Sequence, residues 1–262
     1  MPSRRIPQSH IARRKTIRRA YNKGKNLAPA ARPFPAAVWA KLDLGDPTSL
    51  ASRYFSALNH VDSSDRTLGD ATDIVIATFP ILTRCISHFF QVLDFAIERK
   101  VWPPSVREYH GRDKNVAKVP LITTHDDAIE HAAAIIDGEN RRQNDDGASH
   151  KPMALPDIAE LTANRDAFAT ARNIQSPLKD TLVLAQAAVE ALMEGPEGIL
   201  RLIEDLYDET EHTYRHLEDA PKRTICHEWG ILYDGDPELP DEEPPDPGAP
   251  PPVVPPVVPP SP

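Results

Sequence analysis

The sequence predicts an all-α fold: a helical bundle with a C-terminal antiparallel helical hairpin, flanked by a basic disordered N-terminal arm and an acidic Pro-rich disordered tail. Three observations carry this. Apolar residues recur at steps of three and four across most of residues 36–217, with little alternation of the kind strands show. Residues 1–42 carry 11 Lys/Arg and no Asp/Glu, leaving a net charge of −20 on the other 220 residues. Of 28 prolines, 13 follow Tyr233. The expected organisation is therefore an arm over 1–35, a helical domain over 36–233 with a hinge at 139–152, and a tail over 234–262.

The arm contains Arg4, Arg5, Arg13, Arg14, Lys15, Arg18, Arg19, Lys23 and Lys25. Self-repulsion should keep such a segment open when free, with residues 11–22 turning helical on binding. These nine side chains are the expected contact to a polyanion or other partner. They could neutralise several phosphates without reading sequence, because Tyr21 is the only stacking ring among residues 1–25. A basic arm on an acidic body also fits a self-contact between the two. No apolar h-region follows the arginines, so a secretory signal is not expected, and a cytoplasmic location is the reading. An Arg-rich, acid-free start also resembles a mitochondrial transit peptide, which gives the alternative of an organellar matrix protein after N-terminal cleavage.

Two short amphipathic helices follow, over 36–44 and 49–60, the second with Asp46-Pro47-Thr48 as its start signal. Asp62–Asp70 reads as a polar loop. The densest apolar run lies between Asp73 and Lys100. Leu82, Ile86, Phe89, Leu93 and Ala96 share one helical face there, widened by Ile81, Cys85, Phe90, Val92 and Ile97. Pro80 suits the first turn of that helix. Arg84, His88, Gln91 and Asp94 interrupt it, so no membrane span is expected.

Thr124 and Asp127 have capping-box spacing before the apolar face of Ile129, Ala132, Ala133 and Ile136, which should end at Gly138. Glu139–Pro152 is polar and reads as the hinge. Asp157–Ile174 is the next helix, and Ser176-Pro177 should open another. There Leu178, Leu182, Ala185, Val189 and Leu192 repeat at four and three. Gly195-Pro196 should stop it, and Ile199, Ile203, Leu206, Thr210, Thr213 and Leu217 continue the spacing. These two segments are the expected hairpin, packed against the 80–100 helix. The sequence after Tyr233 cannot bury a core and should sample polyproline II.

Chemistry is thinly represented. Asp205, Glu209, His212 and His216 lie at helical spacing, and Glu209, His212 and His216 define the alternative reading of a helical-bundle metal protein or enzyme. A second Glu-x-x-His and an HExxH are both missing. Cys85 with His88 lacks an orienting third group, and no phosphate-cradling glycine loop occurs. No cofactor is therefore expected. Cys85 and Cys226 imply no disulfide framework. The reading is a non-enzymatic structural or adaptor protein of an assembly. Its basic arm would anchor it to nucleic acid or an acidic protein surface, with a protein partner or a homo-oligomer implied.

Overall fold

A computed structural model describes residues 3–236, and these are all-helical, with no strand among them. Eight helices follow in order: α1 (His10–Gly24), α2 (Ala36–Leu42), α3 (Leu50–Glu98), α4 (Val106–Tyr109), α5 (His125–Asp146), α6 (Ile158–Met193), α7 (Ile199–Thr213) and α8 (Asp219–Glu228). The chain forms two compact units. Within the described residues, unit 1 is 3–58 with 188–236, and unit 2 is 59–187. The Pro-rich segment after Asp236 lies outside the described residues.

Unit 1 is built from the two ends of the chain. Ile17 and Ala20 of α1, Leu42 of α2, Tyr54 of α3, Ile199, Ile203 and Leu206 of α7, and Cys226 of α8 are fully buried in it. α7 packs on α1, α2 and α8. The spacing of Ile199, Ile203, Leu206 and Thr210 gives its buried face, as the sequence suggests. Of the expected 178–217 hairpin, α7 belongs to unit 1, whereas residues 80–100 belong to unit 2. Phe89, Leu93 and Leu206 are each buried, but within separate units, and Leu182 is only half-buried. Periodicity identifies an apolar face without naming the surface that covers it.

Unit 2 has a core of Val75, Leu82, Ile86, Phe89, Phe90 and Leu93 from α3, Ala128, Ala132 and Ile135 from α5, and Leu161, Phe168 and Ala171 from α6. Three sequence expectations change here. The 62–70 loop is helix, and so is the junction at Pro80, so that α3 runs unbroken for 49 residues. Ser63, Thr67 and Thr72 satisfy their hydroxyls on carbonyls three or four residues back, which keeps polar residues compatible with a helix. Pro177 likewise sits inside α6 rather than at a start.

The third change concerns the hinge at 139–152. α5 has the Thr124–Asp127 capping box but continues past Gly138 to Asp146. Glu139 and Arg142 are buried, so the first part of the expected hinge is packed helix, and the chain leaves the α-helix only after Asp146. Gly138 lies inside the helix, where a Cβ would press into the Tyr109 carbonyl and the His110 ring, so the glycine serves close packing and not a stop. α3 ends at Glu98, Lys100 just beyond it has a left-handed φ of 58°, and the Val101 N–H reaches back to the Ala96 carbonyl at 2.9 Å. By length and composition α3 is long and apolar enough to cross a membrane; 33% of its most apolar 18-residue window is buried inside the protein.

Candidate functional site

The basic N-terminal segment is folded into unit 1. Ser9 caps α1, accepting from the Ala12 N–H at 3.1 Å. Thr16, Ile17 and Ala20 then face inward. The close approach is set by Gly230, whose φ is +85° and whose missing Cβ would lie 2.8 Å from the Thr16 carbonyl oxygen. Ahead of α1 the chain pairs with the end of the folded body. The Arg5 N–H donates to the Leu232 carbonyl at 2.9 Å, and the Asp234 N–H to the Ser3 carbonyl at 2.9 Å. The Tyr207 hydroxyl sits beneath this junction, receiving the Leu232 N–H at 3.4 Å.

The expected self-repulsion is met by partners from distant sequence. Arg4 pairs with Asp208 and, at 2.8 Å, with Glu211. Lys23 pairs with Glu228 and lies over the Trp229 ring. The Arg14 and Arg18 guanidinium carbons stand 5.3 and 5.6 Å from the Phe55 ring centre. Arg13 donates to the Pro7 carbonyl at 3.0 Å, and Lys25 to Asn22 at 3.2 Å. Lys15 and Arg19 are half-buried on α1, and Arg5 is exposed. The nine cations are thus a surface on a folded helix and its approach. Arg4 and Lys23 already hold acids that sequence alone could not assign to them.

Behind Arg4 runs a chain of buried groups. Tyr233 donates to Glu211 at 2.7 Å and also meets the Cys226 thiol. Burial, then the Glu211 and Cys226 hydrogen bonds, pushes the tyrosine pKa up. Burial raises the Cys226 thiol, and the Tyr233 hydrogen bond only partly offsets it. Both shifts favour the neutral groups, which are buried in the packing of unit 1.

The metal alternative is not assembled by α7. The helix ends at Thr213, which removes His216 from the helical register that linked it to His212. Asp205 pairs with Arg201 at 2.9 Å, and the His212 ring contacts Arg215. Among the described residues no group of three or more His, Cys, Asp or Glu is arranged to hold a metal ion.

In unit 2, three basic side chains converge on one carboxylate. Glu139 accepts from Arg142 at 2.9 and 2.7 Å, and His110 Nε2 stands 3.3 Å and His150 Nε2 4.0 Å away. Burial works to raise the Glu139 pKa, but the His110 and Arg142 hydrogen bonds and the Arg142 charge hold it below the usual value. Arg142 also stacks over Trp102 at 4.5 Å and donates to the Lys151 carbonyl at 2.8 Å. No side chain in this set is more than 12% exposed, so a substrate has no approach. It ties α5 to the segments on either side of it.

An accessible feature of unit 2 is a groove along α3. Its volume is about 520 Å³, and its walls include Ile81, Arg84, Cys85, His88 and Phe95 of α3 with Leu155, Glu160 and Asn164. Burial pushes the Cys85 thiol pKa up and the Asn164 hydrogen bond only partly opposes this, while Glu160 and Asp157 add to the rise. The thiolate is disfavoured, and with it a nucleophilic role. The groove follows an exposed line through α3: Ile74, Ala77, Ile81, Arg84, His88, Gln91 and Phe95, at alternating steps of three and four. One notch round the helix, Val75, Leu82, Phe89 and Leu93 enter the core. The polar interruptions at 84, 88 and 91 were the sequence signal for this second face. α6 repeats the pattern: Ile174, Pro177, Thr181 and Leu184 are exposed, whereas Phe168, Ala171 and Ala185 are buried. Compared with known proteins, the chain matches no family model, no curated protein and no solved structure.

Proposed function

We propose that the chain is a non-enzymatic structural or adaptor component of a protein assembly. The observation that carries this is the second apolar stripe on each long helix of unit 2. Ile74, Ile81 and Phe95 on the α3 line and Ile174 and Leu184 on the α6 line are each at least half exposed, as are Ile76 and Val183 on other faces of the two helices. A helix apolar on two faces is ordinarily covered on both, and clustered exposed apolar side chains mark interaction surfaces. Arg84, His88 and Gln91 lie within the α3 stripe and favour a protein partner over lipid, because a charged group costs energy in hydrocarbon. We read α3 accordingly as a core helix and not a membrane span.

The anchoring of residues 1–25 to an anionic partner is retained as a narrower proposal. A polyanion would have to compete with Asp208, Glu211 and Glu228 for Arg4 and Lys23. Arg19 on α1 is then the cation to test, beside Arg4 and Lys23. The burial of Thr16, Ile17 and Ala20 supports a segment that stays with the folded protein over a removed presequence.

The test is purification of the full-length chain from its native source under mild salt, beside an Ile81→Glu, Leu184→Glu double variant. Both sites are exposed, so the fold should persist by circular dichroism. The wild type should migrate in a stable complex and the variant as free monomer. Wild type running as free monomer from its native source would reject the assembly role.

A further inference from the structure

We draw no further inference here: the strongest candidate, the exposed apolar groove along α3 between Ile81, Phe95 and Leu155, carries nothing because nothing in the structure shows what covers it.

Discussion

Unit 1 and unit 2 solve the covering of apolar surface in opposite ways. Unit 1 is assembled from both ends of the chain, and its ends close on each other: Arg5 bonds Leu232, Ser3 bonds Asp234, and Arg4 and Lys23 find Asp208, Glu211 and Glu228. Aromatic rings fill the gaps, with Phe34 set edge-on to Trp229 at 5.4 Å and Tyr21 stacked on Trp39 at 5.7 Å. Unit 2 is one continuous stretch of chain. Its core is covered on one side of α3 and α6, while a parallel stripe on each stays open. A segment that looks like a free arm is thus the better covered of the two, and the segment that looks like pure core carries the open surface.

The comparison predicts the largest effect at the N-terminus. Deleting residues 3–25 should abolish cooperative unfolding of unit 1, because it removes α1 with its buried Thr16, Ile17 and Ala20. The milder Ile17→Ala should cost roughly 2–5 kcal/mol in urea titration. A deletion variant whose near-ultraviolet circular dichroism and unfolding midpoint match the full chain would return α1 to the status of an appendage.

In unit 2, Arg142→Met should cost about 3–5 kcal/mol, since it leaves Glu139 buried and without its bidentate partner. The same site sets a pH dependence. The folded Glu139 pKa lies below the unfolded value of about 4.3. Its stabilisation is therefore complete above that value and is lost as pH falls through the lower folded one. Urea midpoints between pH 7 and pH 3 should fall more steeply for wild type than for Glu139→Gln, which is already weakened at neutral pH. Equal slopes would mean that Glu139 is not the group being protonated.

Gly230→Ala should destabilise unit 1 by roughly 1–3 kcal/mol, through its +85° φ and the Thr16 carbonyl 2.8 Å away. The smallest effect is a gain. Lys100→Gly relieves a left-handed lysine at the end of α3 and should raise stability by about 1 kcal/mol. Thermal melts of the two variants should move in opposite directions.

Much of the helical content was legible. The capping box at Thr124 and Asp127, the stop at Gly195 and the buried face of α7 all follow from short-range rules, which act within one or two turns. The boundaries were less so. Pro80 and Pro177 look like starts but lie inside long helices, because tertiary cover outweighs the loss of one backbone hydrogen bond. α8 was missed, since the buried Cys226 and Lys222 and the half-buried Ile225 give too few apolar positions to define a period. In the groove, the residues interrupting the α3 face were visible as interruptions, and only burial shows that they form a line of their own.

The sequence by itself determined the all-helical class, the face of α7 from Ile199 to Thr210, part of the face of α5, and the charge asymmetry between residues 1–42 and the rest. Those properties depend on neighbours within a few residues and on composition. Tertiary structure decided where the arm goes, which acids Arg4 and Lys23 meet about 200 residues away, and which of the two apolar stripes on α3 is covered. A period of 3.6 residues says that a helix has faces. Which face is buried depends on what the remote chain places against it, and that information is spread over positions with no local relation to one another.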